Sequence, residues 1–212
     1  MEAYFLLIIF AVILISWLLY RKERKHLQTI LEKQAAKLNG RVRAATLFTY
    51  PQLYFPYHGV EILVSAMPGS SGQGGYRSAT SFAQLYFETY PDHHLEIRNK
   101  SVQTMVDKVL GQKDFETGNP KFDNQFFVRC SSKGFIRSLL TREVQDRLLE
   151  FEAGDGLYIS LTRTTLYKEG RLVNGVKRPR LDVSISRIST QSEDYERLIR
   201  TATLLYDRLR NA

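Results

Sequence analysis

Three carboxylates, Asp114, Glu116 and Asp123, crowd the stretch KDFETGNPKFDNQFFV (113–128) around a Gly-Asn-Pro turn. General acid–base work needs two such groups held opposite one another, with at least one pKa displaced by burial or by the other charge. Asp114 and Glu116 lie two apart and can share one face of a strand. No nucleophile, metal ligand or oxyanion donor stands beside them, so the cluster reads as architecture and no catalytic residue is assigned. Asp123, after the turn, is expected to cap backbone amides at the bend, with Phe122, Phe126 and Val128 leading into a core strand.

The stretch MPGSSGQGGYRS (67–78) points to different chemistry, because bare backbone amides bind oxyanions. A Walker loop would end in Gly-Lys-Ser/Thr, whereas Gly74-Gly75 is followed by Tyr76-Arg77. The pattern G-x-S-x-G fails as well, since Gly69-Ser70-Ser71-Gly72 is followed by Gln73. A hairpin loop between two alternating strands is expected, with Gly69, Ser70, Ser71, Gly72, Gly74, Gly75 and Arg77 the residues best placed to touch a ligand. His93 and His94, flanked by Asp92 and Glu96, are of metal-ligand type. Neighbours on an extended chain face opposite ways, however, and no H-x-H or H-E-x-x-H spacing supports them, so no metal site and no cofactor is expected. Cys130 is the single cysteine, which excludes an intramolecular disulfide and reads as a small, half-buried residue after a strand. Asn99-Lys100-Ser101 is a formal glycosylation sequon and is expected in a loop.

Residues 3–20 (AYFLLIIFAVILISWLLY) form an apolar run broken only by Ser16. As a helix it would be about 27 Å long, enough to cross a hydrocarbon core. A cleaved signal peptide would show a basic start, a shorter apolar stretch and a small-residue cleavage site, none of which is present, so a retained transmembrane anchor is expected. Trp17 and Tyr20 lie where interfacial aromatics belong. The cations Arg21, Lys22, Arg24 and Lys25 follow at once and place the rest of the chain on the cytoplasmic side of the inner membrane. The 30 Lys and Arg against 22 Asp and Glu give a net charge of +8. Setting aside residues 1–25, with four Lys/Arg and two Glu, leaves 26 minus 20, or +6. A positive domain beside a bilayer is drawn to anionic headgroups, at about 1 kcal/mol per basic residue near the surface. No recognisable nucleic-acid-binding module is present, so lipid rather than nucleic acid is the expected partner.

Residues 24–38 repeat Leu27, Ile30, Leu31, Ala35 and Leu38 at helical spacing and end at Asn39-Gly40. That narrow stripe suits packing on the following domain, or a brief coiled-coil contact in a weak homodimer. Short alternating strands are expected at 58–67, 78–88, 95–99, 125–130, 157–165 and 180–187, with Asn174-Gly175 a hairpin turn before the last. FTYPQLYFPYHG (48–59), with two prolines, is expected at a sheet edge or as an irregular entry. A helical pattern at 133–151 is interrupted at Thr141. The last helix opens on a capping box, Thr190 to Glu193, and carries Tyr195, Leu198, Ile199, Ala202, Leu205, Tyr206 and Leu209 as one stripe. The expected organisation is an anchor (3–20), a basic collar with a juxtamembrane helix (21–40), and an α+β domain (41–212). In that domain a mainly antiparallel sheet is covered by two helices.

Thr117 to Val128 (TGNPKFDNQFFV), followed by the leucine-rich helix at 134–151, resembles a T-G-[D/N]-P-x-F-D-x-x-F-x-V segment of uncharacterised bacterial membrane-anchored proteins of unknown function. The resemblance covers about forty residues closely. It implies a bacterial origin and an accessory domain beside the membrane, and it carries over no catalytic residue. Asn119 stands where aspartate is common. The expected function is a membrane-surface binding or scaffold module; the alternative is a membrane-tethered hydrolase or ligand sensor using the loop 69–75.

Overall fold

One uninterrupted helix, α1 (Glu2–Leu38), takes in both the apolar run and the amphipathic stripe. Leu27, Ile30, Leu31 and Ala35 are buried in the core, so the stripe that could have made a coiled coil is consumed by the chain's own sheet. The helix ends at Asn39, in the left-handed region at φ 51°. Gly40 follows, where a Cβ would stand 2.8 Å from Leu53 Cδ1 and 2.9 Å from the Tyr54 carbonyl oxygen, too close for any side chain. The computed structural model describes residues 2–46, 49–72, 75–77, 79–88, 93–100, 114–168 and 171–211, and the side chains of residues 2, 3, 6, 7, 13, 16, 70–72, 75–77, 165–168 and 171–176 lie outside that description. Among the described residues no helix is long and apolar enough to cross a membrane, so the crossing expected at 3–20 is not met there. That span includes residues 3, 6, 7, 13 and 16, whose side chains are outside the description.

The strands are β1 (Arg41–Arg43), β2 (Gln52–Tyr57), β3 (Val60–Met67), β4 (Ser70–Gly72), β5 (Gly75–Arg77), β6 (Thr80–Tyr86), β7 (Leu95–Asn99), β8 (Phe126–Cys130), β9 (Tyr158–Lys168) and β10 (Arg171–Ile185). Eight make one sheet in the order β1-β2-β3-β6-β10-β9-β7-β8, while β4 and β5 pair as a separate ribbon. Every pairing among the described residues is antiparallel. Alternation then sorts the side chains onto two faces. The first face carries Phe55, Ile62, Leu85, Leu181, Leu161 and Leu95 in one row and Leu53, Val64, Ala83, Val183, Ile159 and Ile97 in the next, all buried. The inner half of α1 packs on this face with α5 (Ser192–Arg210), whose Tyr195, Leu198, Ile199, Ala202, Leu205, Tyr206 and Leu209 form the expected stripe. Two short helices, α3 (Lys133–Leu139) and α4 (Arg142–Leu148), pack against α5. The chain breaks between them at Leu140-Thr141, as the sequence suggests, although Thr141 makes no side-chain cap. The α+β class with an antiparallel sheet and covering helices is thus as expected, with more helices than two.

Four local expectations need correction. Asn174-Gly175 is no turn: both residues lie inside β10, where the register shifts between the pairs Leu172–Tyr167 and Lys177–Thr165, so four residues of β10 face one of β9. The turn-forming character of Asn-Gly is absorbed by a bulge. The capping box at Thr190 does not form, since α5 starts one residue later, at Ser192, with Gln191 as a cap that makes no side-chain bond. Asp194 organises that end instead, accepting from Ser189 Oγ at 2.6 Å, from Arg187 at 2.9 Å and from Arg197. Asn99 is the buried last residue of β7 rather than a loop residue, and its Oδ1 accepts from Leu157 N at 2.6 Å. The proline-bearing stretch 52–57 is a regular strand with neighbours on both sides; Pro56 lies beyond the three residues that β1 pairs.

Candidate functional site

The carboxylates of 113–128 resolve into anchoring contacts. A short helix, α2 (Pro120–Gln125), carries Asp123, which accepts from Thr117 N and Gly118 N at 2.9 Å each and from Thr117 Oγ1 at 2.8 Å. Gly118 can meet it because φ there is 84°, a conformation that favours glycine. Asp114 accepts from Val128 N at 3.0 Å and pairs with Lys100 at 3.1 Å. Glu116 is exposed. The three acids point at separate partners and not at a shared reacting centre.

The glycine-rich loop is a hairpin, as expected: Ser70 pairs with Arg77, Ser71 with Tyr76 and Gly72 with Gly75. Ladder pairing takes up amides that a phosphate cradle would need. Gly69 is exposed at the entry, Gly74 lies outside the described residues, and nothing is described of the Ser70, Ser71 or Arg77 side chains.

The collar divides into two roles. Arg21, Lys22 and Lys25 are exposed, and Arg21 sits 5.3 Å over the Trp17 ring. Arg24 is buried. Its guanidinium lies 3.8 Å from the Tyr20 ring centroid and 5.3 Å from that of Tyr50, and it donates to the Tyr20 hydroxyl and the Thr46 carbonyl. Tyr20 and Tyr50 meet edge to face at 5.6 Å, and Tyr50 Oη donates to Glu23 at 3.2 Å. Burial first, then the Glu23 charge, pushes the Tyr50 phenol well above its ordinary range. Arg24 therefore fastens α1 to the loop before β2, at the junction between the exposed and the buried half of the helix.

The second face of the sheet holds what the sequence did not show. Register aligns Leu63, Gln84, Asp182, Ser160 and Glu96 in one row, and Ser65, Phe82, Ser184, Tyr158 and Arg98 in the next. Over Leu63, Gln84, Ser65 and Phe82 of these rows lies a groove of about 510 Å³ whose described lining contains no helix residue. Leu63, Phe82 and Met67 form apolar walls, Gln84, Thr164 and Arg180 are polar, and Tyr50, which also contacts α1, adds to the lining. Arg180 Nε donates to Asp182 Oδ2 at 2.7 Å, and its guanidinium sits 6.0 Å from the Tyr86 ring. Burial raises the Asp182 carboxyl above its ordinary range even though Arg180 opposes the shift. Asp182 does not line the groove.

A smaller hollow of about 260 Å³ joins His93, His94, Ser131, Thr162, Arg163 and Pro179. Ser131 Oγ lies 3.4 Å from His93 Nδ1, too far for an activating bond, and it already accepts from His94 N at 3.1 Å. His93 is stacked on Phe135 at 4.5 Å, with no carboxylate among the described residues to orient it. Next to it, burial pushes the Cys130 thiol upward, away from thiolate chemistry. Among the described residues no group of three His, Cys, Asp or Glu could hold a metal ion.

No family model, curated protein or solved structure matches the chain.

Proposed function

We propose that the protein is a single-pass inner-membrane protein in which the outer half of α1 is the anchor and the basic α+β domain is a binding or scaffold module at the cytoplasmic surface. One observation carries the reading: Tyr4, Phe5, Ile8, Phe10, Val12, Ile15, Leu18 and Leu19 are all exposed on a helix that continues into the core of the domain. With Ile9, Leu14 and Trp17, which are exposed as well, they reach around the whole helix axis and cannot be covered by one neighbouring face, and an apolar surface on all sides is stable only in an apolar surrounding. Exposed Arg21, Lys22 and Lys25 beside Trp17 suit the headgroup layer and set the cytoplasmic orientation. Burial of Arg24 at the foot of the anchor makes the junction stiff, so the anchor would hold the domain in a defined attitude. The bacterial setting follows the resemblance of 117–128. In a bacterial host the full chain should stay in the membrane pellet through an alkaline wash. Protease should cleave the domain in inverted vesicles but not in intact spheroplasts. Release by the wash, or cleavage in spheroplasts, would refute the anchor or its orientation respectively.

A further inference from the structure

We propose that the second-face groove binds a single-chain anionic amphiphile taken from the adjoining bilayer, its acidic head on Arg180 and its chain running past Leu63 and Phe82 toward Met67. The inference rests on the reading of α1 as the anchor.

A volume of about 510 Å³ falls in the range of small-molecule sites, about 300–1,000 Å³. The walls suit a flexible apolar chain. Leu63 and Phe82 are diagonal neighbours on β3 and β6, and Met67, 54% exposed, stands at the open end as an adaptable apolar lip. At the other end Arg180 uses its Nε edge for Asp182 and also bonds the Tyr86 side chain, and among the described residues no carboxylate pairs with its Nη edge. A guanidinium is always charged and offers that edge as a two-pronged donor to a carboxylate or phosphate. A neutral ligand would cover the edge without answering it, which costs more than leaving it in water. Gln84 and Thr164 add polar lining near the same end, while Asp182 stays out of the lining.

The surroundings narrow the occupant further. A peptide strand needs a free sheet edge, but β3, β6 and β10 are interior strands whose neighbours are in place. The mouth is shared with the foot of the anchor: Tyr50 lines the groove and also contacts Tyr20, Glu23 and Arg24 of α1. An amphiphile leaving the bilayer beside α1 is therefore close to the groove.

The test uses the full chain reconstituted in nanodiscs of phosphatidylcholine alone, with a diazirine-bearing palmitate and the corresponding uncharged alcohol as probes. After irradiation, the palmitate should label segments 60–67 and 80–86. Arg180→Gln should reduce that labelling about tenfold, the loss of a charged hydrogen-bond pair, and leave the alcohol's labelling unchanged. Leu63→Trp, which fills the groove without touching the head site, should reduce labelling by both probes. Palmitate label confined to residues 4–19, or equal labelling in wild type and Arg180→Gln, would overturn the proposal. Incorporation into the disc reads the anchor separately. A chain that stays outside it refutes the anchor, and its labelling by palmitate added in buffer still decides the groove.

Discussion

Residues 4–19 and 24–38 belong to one helix, yet their make-up and surroundings are opposite: the first is apolar at almost every position and the second only at Leu27, Ile30, Leu31 and Leu38 with two alanines. Phe5 and Phe10 are each 65% exposed and Ile15 is 57% exposed, whereas Leu27, Ile30 and Leu31 are exposed by 1%, 5% and 0%. The difference lies in the pattern. In the inner half the apolar residues form a stripe with Glu32, Lys33 and Lys37 on the other side, which one sheet can cover. In the outer half the exposed apolar residues lie on all sides of the axis, the pattern that the proposed anchor would account for. The boundary between the two is the buried Arg24, held between Tyr20 and Tyr50.

Substitutions that exchange the two environments test this contrast. The largest effect is expected for Leu31→Asp, which places an unpaired charge in a fully buried position and should cost more than about 4 kcal/mol, read as loss of cooperative thermal unfolding. Asp194→Asn acts one step away. Gln34 of the inner half docks on Ser192 and Glu196 at 2.9 Å each, on the helix end that Asp194 organises, and losing one partner of a buried ion pair should cost about 3 kcal/mol. Burial opposes ionisation of Asp194, but bonds from Ser189, Arg197 and Arg187 outweigh it and hold the carboxyl below its ordinary range. Its stabilisation is therefore complete above pH of about 4 and is lost as pH falls through the lower folded value. In Asp194→Asn that acid limb of the stability curve should flatten. Arg24→Gln, at the boundary, should cost about 2 kcal/mol from lost ring contacts and charged hydrogen bonds. It should also increase protease cutting near residue 20, while membrane association persists. Smallest is Asp123→Ala, far from α1, which should lower stability by about 1 kcal/mol and leave membrane association untouched; an unchanged melting temperature would contradict its capping role.

The same contrast explains what could be read before the structure was known. Stripes are local, so the α1 and α5 faces and the break at Thr141 were legible from spacing alone, as was the capping role of Asp123, three bonds made within six residues of chain. Signals that compete with tertiary packing misled. Asn174-Gly175 is absorbed by a bulge, Thr190 loses the start of α5 to Asp194 and its arginines, and Pro51 and Pro56 flank or occupy a paired strand. The groove was illegible for another reason: Leu63, Phe82 and Arg180 meet only through the registers of β3, β6 and β10, and Arg180 is about a hundred residues or more from Phe82 and Leu63 in the chain. Its only local trace was the alternation of β6, with Phe82, Gln84 and Tyr86 on the face opposite the buried set.

The most direct measurement is liposome flotation of the full chain carrying Phe10→Asp and Ile15→Asp together, with its melting temperature recorded in parallel. Each aspartate at the middle of a membrane helix costs about 3 kcal/mol. The double variant should keep the melting temperature of the domain and no longer float. Continued flotation, or unfolding of the domain, would contradict the assignment of the outer half of α1 to the membrane and the inner half to the core.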